Sequence, residues 1–556
     1  MQQHVFAISN ACHQLGVKHV FICPGSRSAP LVYAFTENKH FTAHSVVDER
    51  SAAYSAMGAA QQLQQPVVLI CTSGTAALNF YPAIAEAFFQ HIPLLVLTAD
   101  RPPGLLFQQD GQMINQSRVF ENHVLASYSF PCYAHGKENM LETFDITANA
   151  LQLLNGLRKG PVHINVPLNE PLYPTKLIRP SNNYRIKNEK QQIQIADKGL
   201  ISAWKSSKKR LIIVGQQFIN TKLSTQLLRM NNDGNTIVIT DLLSNQIPFG
   251  SIHHADTILL RADKKTKDII EPDFIISFGG PVLSKQLKQW LKTIKPTYHY
   301  RINAFGECVD TYGNVSNHLV GNADQYLALL PNSQDTNIGQ FKKFWLASDS
   351  LISNTVSSYL KKDNWSEIHT MHKILLALPD AANIHLANSG VIRYVSMCGQ
   401  LNPSWVMNGN RGTSGIDGCT STAVGAALVN NRETFLLSGD LSFLYDINGL
   451  WRSTIPNNIK IIVFNNQKGQ IFEWIEGPQK QRKQLPFFTT PHQRNIGDLC
   501  KAFKIKHVYA EDNKSLRAVL PKFLKSPEPA VLELSFSNNE NMKSIKAFKT
   551  IPLKIN

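Results

Sequence analysis

Short apolar runs alternate with longer stretches of small, mixed and polar residues along most of this chain. In the first third, residues 19–23 (HVFIC), 45–47, 67–71 (VVLIC), 93–98 (PLLVLT) and 162–166 (VHINV) predict strands, and residues 3–15, 50–64 and 75–89 predict helices between them. Strands that are apolar at nearly every position and separated by helices belong to a parallel sheet covered on both faces. A polar stretch rich in Asn, Gln and Lys, 179–198, then reads as a linker. Beyond it the pattern resumes at 211–214 (LIIV), 236–240 (TIVIT) and 274–278 (FIISF), and a second loop is expected at 331–339. The last block begins with helical material at 341 and has strands expected at 385–388, 434–437, 460–464 and 531–536. The fold class is therefore α/β: three domains, 1–178, 199–330 and 341–556, each a parallel sheet flanked by helices. The first and third share a style, but no sequence repeat is visible between them.

Composition narrows the picture. With 556 residues, 43% of them hydrophobic and 17% charged, the chain has material for several cores and is not a disordered polymer. Its apolar runs, such as 92–97, fall far short of the ~20 residues that cross a bilayer, so no integral membrane segment is expected. Residues 1–16 lack a cationic start followed by an unbroken apolar stretch, so no secretory leader is expected. Eight cysteines, none in a C-x-x-C pair, suggest neither a disulfide framework nor a thiolate zinc site, which points to a reducing, cytoplasmic setting. Lys and Arg outnumber Asp and Glu by 56 to 40, a net charge of +16 that favours anionic partners. The cations are scattered, with small clusters only at 205–210 and 264–267, and no nucleic-acid-binding motif accompanies them. Small polyanionic substrates, and no nucleic acid, are the expected partners.

Candidate chemistry gathers at predicted strand ends. Gly439-Asp440 closes one run and Asn465-Asn466 the next. Ligands bind at the carboxyl ends of strands in open parallel sheets. A carboxylate, an amide oxygen and a nearby backbone carbonyl suit a hard cation such as Mg²⁺, with positions left for phosphate oxygens. The same dipeptides are ordinary turn formers, and the residues alone leave both readings open. In the first block Asp48-Glu49-Arg50 opens a small-residue helix, SAAYSAMGAA. Taken alone, an acid there complements the helix dipole.

These two segments, with PGSRSAPL, DERSAAYSAMG, TSGTAALNFYPAIAEA and LTADRPPGL near the front and ANSGVIR, GNRGTSGIDGCTSTAVG, GDLSFLYDINGL and NNQKGQIF near the back, resemble the thiamine diphosphate-dependent enzymes. Within them they are closest in pattern to the menaquinone-pathway family that joins 2-oxoglutarate to isochorismate. The resemblance covers both ends and is weak in the middle. Leu441 replaces the third-position Gly of the family's Gly-Asp-Gly motif, and the spacer to Asn-Asn is short.

The resemblance implies a transferase using thiamine diphosphate and Mg²⁺, or Mn²⁺ in its place. It implies that Glu49 hydrogen-bonds the aminopyrimidine ring and promotes its imino tautomer. Asp440 and Asn466 would ligate the metal through side chains, and Lys468 through its carbonyl. Ile416 would wedge between the cofactor rings, with Gly415 and Ser389 also at the cofactor; an Ile in a Gly-rich turn is otherwise a core residue. Ser389, Arg393 and Arg411 would grip 2-oxoglutarate, and Ser26, Arg27 and Arg101 isochorismate. Gln112 would lie beside the reacting carbons, and Lys285 would reach in from the middle domain, where the family often has Lys-Arg and this chain has Lys285-Gln286. Domain 1–178 would bind the pyrimidine and 341–556 the diphosphate, normally across two subunits, making a homodimer the minimum and a homotetramer common. An acetolactate synthase-like carboligase or decarboxylase is the alternative. That enzyme would have an apolar acceptor pocket.

Other features carry less. Arg101 could pair with neighbouring Asp100. His253-His254-Ala255-Asp256 is assigned to a surface loop, and the cysteines to small buried positions. Gly279-Gly280 lacks the G-x-G-x-x-G of a dinucleotide site, so the middle domain is expected to be a cofactor-free scaffold.

Overall fold

A computed structural model describes residues 4–132, 137–173, 199–246, 250–331, 338–399 and 401–551. The expected linker 179–198 lies outside the described residues, as does most of the 331–339 loop. The first sheet contains β1 (His19–Ile22), β2 (Thr42–Ser45), β3 (Val67–Cys71), β4 (Leu94–Asp100), β5 (Ser127–Ser129) and β6 (Val162–Pro167), in the order β2-β1-β3-β4-β6-β5. The second contains β7 (Arg210–Val214), β8 (Thr236–Thr240), β9 (Phe274–Phe278), β10 (Tyr298–Asn303) and β11 (Asn317–Val320), in the order β11-β10-β9-β7-β8. The third contains β12 (Asn383–Leu386), β13 (Val406–Gly409), β14 (Thr434–Gly439), β15 (Ile459–Asn465), β16 (Lys506–Ala510) and β17 (Ala530–Ser535), in the order β13-β12-β14-β15-β17-β16. Every pairing within these sheets is parallel. The chain is thus three α/β units, as the apolar runs imply.

Central strands are apolar because both faces are covered: β3, β4 and β15 are buried at every position. The strand expected at 45–47 lies earlier, at Thr42–Ser45, on an exposed edge. The helix expected over 75–89 is two, Thr75–Asn79 and Tyr81–Gln90, with Pro82 in the first turn of the second. Proline has no N–H to continue a helix but is well suited to starting one.

The first and third sheets share one strand order. In each, a small-residue helix follows the edge strand: Glu49–Leu63 after β2 and Cys419–Ala427 after β13. These two helices pack directly on each other. A Cβ added to Gly58 would overlap the Thr422 carbonyl, and one added to Gly425 the Ser55 carbonyl. Glycine here permits backbone-to-backbone approach. Ser55 Oγ donates to Ser421 O (3.2 Å), and Tyr54 OH donates to Asp417 Oδ2 (2.8 Å).

The second and third sheets share a hydrophobic core in which Ile239, Leu243 and Trp290 join Trp345, Ile384, Leu386 and Tyr394. The middle unit also caps the edge of the third sheet. Asn245 Nδ2 donates to Met407 O (3.0 Å), and Met407 N donates to Asn245 Oδ1 (2.7 Å). One side-chain amide thereby satisfies both backbone groups of a β13 residue, as a neighbouring strand would.

Segment 253–256 is not wholly a surface loop. His253 and His254 donate their backbone N–H groups to Asp349 Oδ1 (3.0 and 2.7 Å), and the His254 side chain is buried against Gly399. Six of the eight cysteines are buried as expected, but Cys132 is half-buried and Cys308 exposed. Among the described residues, no helix is long and apolar enough to cross a membrane.

Candidate active site

Strand ends of the third sheet position the first cluster. β14 ends at Gly439, and Asp440 opens the helix Asp440–Tyr445. β15 pairs Phe464 with Gly439, so Asn466 emerges beside Asp440. Asp440 is 3% exposed. Its Oδ1 accepts from Leu441 N (2.8 Å), and its Oδ2 meets His492 Nε2 (3.1 Å). Asn466 Oδ1 accepts from Lys468 N (3.1 Å), and its Nδ2 donates to Glu367 Oε1 (2.8 Å). Glu367 Oε2 accepts from Tyr394 OH (2.7 Å). Burial pushes the Glu367 carboxyl up to about 7, against the hydrogen bonds from Tyr394 and Asn466. The Lys468 carbonyl accepts from Gln470 N (2.9 Å), and its ammonium pairs with Glu473 (2.6 Å). Leu441, the motif's departure, lies over Gly469. A carboxylate, an amide oxygen and a carbonyl are all hard oxygen donors, a set that fits Mg²⁺. Among the described residues there is no His/Cys/Asp/Glu cluster of a different metal type.

The loop after β13 forms the second cluster. Arg411 Nη1 donates to Asn388 Oδ1 (2.9 Å), and Asn388 Nδ2 donates to the carbonyls of Asn410 (2.7 Å) and Gly415 (2.6 Å). Ser389, at φ +80°, starts the helix Gly390–Cys398, and its carbonyl accepts from Arg393 Nη1. Burial lowers the pKa of both arginines. Arg411 also lowers that of Arg393, so two like charges face one region. Ile416 is only half-buried and belongs to none of the packed cores; its carbonyl accepts from Ser442 Oγ (3.0 Å).

The first sheet supplies a third group. Asp48 caps the helix Glu49–Leu63 by accepting from Ser51 N (3.1 Å), and its Oδ2 accepts from Asn448 Nδ2 (2.7 Å). Glu49 is therefore spared the capping role. It is half-buried, and burial raises its carboxyl above the ordinary range, opposed by a backbone hydrogen bond. Burial pushes up the thiols of Cys23 and Cys71, and the Glu49 charge adds to both, for Cys71 after that of Cys23. No described hydrogen bond or ion pair joins Glu49 to Asp440 or Asn466 within one chain.

Around the ends of β4 and β6, Arg101 Nη1 donates to Ser73 Oγ (2.7 Å) and to Gln112 O (2.9 Å), while its Nε pairs with Asp110 (2.6 Å). The alternative pairing of its side chain with Asp100 is not made: from Arg101, Asp100 accepts the backbone N–H (2.8 Å), and its other oxygen takes Asn165 Nδ2 (2.8 Å). Gln112, at φ +55°, is exposed, with its carbonyl near Gly74. Arg27 donates to Leu168 O (3.0 Å) and pairs with Glu170 (3.2 Å); Ser26 is exposed in the turn before the helix Ala29–Thr36. Both Arg27 and Arg101 act on the Asp100 carboxyl, so these residues share one neighbourhood.

Lys285 is exposed at the start of the helix Lys285–Leu291. One turn on, Lys288 lies within electrostatic reach of Arg411, Asp241 and Asp256. Sequence reasoning missed Lys288, His492, Glu367 and Tyr394, because none sits in a motif with the residues it approaches.

Comparison with known proteins defines the class. Residues 4–119 match the thiamine pyrophosphate enzyme N-terminal TPP binding domain, 178–386 the middle domain of thiamine pyrophosphate enzymes, and 391–534 the C-terminal TPP binding domain. The protein is a thiamine diphosphate enzyme with a three-unit α/β fold. A Flavobacterium johnsoniae protein is 36% identical over 98% of this chain and 97% of its own length. One from Flavobacterium psychrophilum is 36% identical over 95% of each, and one from Desulfotalea psychrophila 34% identical over 91% of this chain and 93% of its own. All three are named 2-succinyl-5-enolpyruvyl-6-hydroxy-3-cyclohexene-1-carboxylate synthase. The chain belongs to this synthase family.

Proposed function

We propose that this chain decarboxylates 2-oxoglutarate and adds the resulting four-carbon unit to isochorismate in a 1,4 sense, within menaquinone biosynthesis. The observation that carries the reading is the division of cations between two places. Arg393 and Arg411, with Lys288 nearby, surround the third-sheet loops, while Arg27 and Arg101 surround the first-sheet ends. Each substrate carries two carboxylates, and guanidinium forks suit them. An apolar acceptor site, as in an acetolactate synthase-like enzyme, has no use for the second arginine group.

When bound, thiamine diphosphate would supply a nucleophilic carbon to add to the keto group and a cationic ring to delocalise the electron pair left when CO₂ departs. Glu49 holds a proton beside the pyrimidine, a task its raised pKa favours. Asp440, Asn466 and the Lys468 carbonyl would hold Mg²⁺, or Mn²⁺, whose charge would offset that of the diphosphate. Ile416 and Gly415 shape the cofactor's bed, with Ser389 beside it. Ser389, Arg393 and Arg411 orient 2-oxoglutarate. Ser26, Arg27 and Arg101 orient isochorismate, with Gln112 beside the carbons that join and Lys285 at the rim. Unit 1–178 takes the pyrimidine, 341–556 takes the diphosphate, and 199–330 joins them. A homodimer, or a tetramer of such dimers, is the assembly proposed, with Glu49 of one subunit facing the metal cluster of its partner. Eight unpaired cysteines accord with a cytoplasmic location.

The test is ultraviolet detection of isochorismate consumption, with 2-oxoglutarate, thiamine diphosphate and Mg²⁺ omitted in turn. Consumption should need all three. Turnover of pyruvate with isochorismate left untouched would replace this reading with the acetolactate synthase-like one.

A further inference from the structure

Behind the Arg411 loop, all three units meet in one polar junction around a buried carboxylate. Glu86, on the helix Tyr81–Gln90, is fully buried. Its Oε1 accepts from Gly412 N (2.7 Å) and from Gln90 Nε2. Its Oε2 accepts from Thr413 N (2.6 Å) and Thr413 Oγ1 (2.5 Å). Gln90 Oε1 in turn accepts from Gln61 Nε2 (3.1 Å) and from Gln216 Nε2 (2.8 Å), the latter just after β7 in the middle unit. A Cβ on Gly412 would press on the Glu86 carbonyl and on Phe89, so the loop lies flush on this helix. The only described hydrogen bond of the Arg411 guanidinium is to Asn388, and Asp241 and Glu86 supply the opposing charge. Hydrogen bonds to a buried carboxylate are charge-assisted, and removing the carboxylate takes the acceptor from all of its donors at once.

We propose that Glu86 is a positioning residue for Arg411: by clamping the Gly412–Thr413 backbone from the first unit, it fixes where the preceding guanidinium presents itself to a substrate carboxylate. The proposal rests on the reading of Arg411 as a 2-oxoglutarate ligand. Glu86 touches neither substrate nor cofactor in this role. The anion grip of the third unit is set by an acid of the first, and Gln216 ties the middle unit to the same point.

The test uses full-length enzyme with thiamine diphosphate and Mg²⁺. Glu86→Gln keeps the shape but turns one acceptor oxygen into a donor facing Thr413. KM for 2-oxoglutarate should rise about tenfold, the scale of one charged hydrogen bond. Half-saturation by thiamine diphosphate, followed by protein fluorescence, should stay within about twofold, because an unfolded or loosened cofactor site is not what the proposal requires. In an Arg411→Ala background the same change should add no further rise in KM. A KM within about twofold of the parent, or a full additional rise in the double variant, overturns the proposal. If Glu86→Gln does not fold, Thr413→Ala decides: it removes one bond and should raise the same KM about threefold, and no change overturns the proposal. If Arg411→Ala alone leaves that KM unchanged, the reading of Arg411 fails and the proposal with it; if Arg411→Ala raises it and Glu86→Gln does not, only Glu86 loses its role.

Discussion

The first and third sheets have the same strand order and carry different chemistry at the same places. β4 and β15 are both seven-residue strands buried throughout, yet β4 is followed by Arg101 and β15 by Asn466. The helix after β2 opens with Asp48-Glu49. Its counterpart after β13 has no acid in its first turn and is preceded by the loop that carries Arg411 and Ile416. Inside the strands both units are constrained to apolar residues by burial on two faces. Immediately beyond the strand ends that constraint lapses, and the side chains that differ are the ones proposed to differ in function. Shared topology provides the crevice, and the first residues outside the ladder decide what it holds.

This division can be broken from either side. Glu49→Gln should lower kcat by about 10²–10⁴, the range of general acid–base assistance, while thiamine diphosphate still binds by fluorescence titration. Near-normal turnover would remove the proton role from the first unit. Asp440→Ala should do the reverse, moving the midpoint of a Mg²⁺ titration in the presence of thiamine diphosphate upward about 10- to 100-fold. An unchanged titration would take the metal away from the third unit. Gly58→Ala tests whether the twin helices must touch. The added methyl has no room against the Thr422 backbone and should cost about 1–3 kcal/mol in urea unfolding; a neutral result would mean that the two helices can move apart freely.

The last prediction concerns pH. His163, fully buried in β6, has its nitrogens engaged by Thr98 Oγ1 (2.8 Å) and Ser127 Oγ (3.0 Å), and burial lowers its pKa to about 3. The unfolded chain therefore binds more protons between about pH 6.5 and 3, so the stability His163 contributes is present above that window and lost as pH falls through it. Compared with the parent, His163→Gln should reduce the acid-side loss of stability by up to about 1.4 kcal/mol per pH unit. Parallel pH profiles of unfolding would show that the histidine is not held neutral.

Central strands were legible because burial on both faces writes them as unbroken apolar runs. β5 (SYS), β11 (NHLV), β13 (VMNG) and β16 (KHVYA) were not, and all four are edges. β10 was missed for another reason. It is interior but polar, because His299 bonds Ser277 Oγ (2.7 Å) and Arg301 donates to Asn303 Oδ1 (3.1 Å), pairings that hydropathy does not register. The candidate site divides in the same way. Glu49, Asp440, Asn466 and Arg411 stand beside recognisable strand ends. Glu86, Glu367, Lys288 and His492 reach the same regions from distant segments, where no local spacing marks them. Lys285 was singled out from its position in the segment, whereas the neighbour one helical turn away is the one in electrostatic reach of Arg411.

The Asn245 amide that completes β13 bears on how the molecule can be cut. A row of unsatisfied N–H and C=O groups at a sheet margin is a template for any other chain. Expressed without its middle neighbour, the segment 341–556 would bare that margin and be prone to stick to copies of itself. The central unit thus covers backbone groups at the margin of the third sheet, and the last third of this chain is a poor choice as a stand-alone fragment.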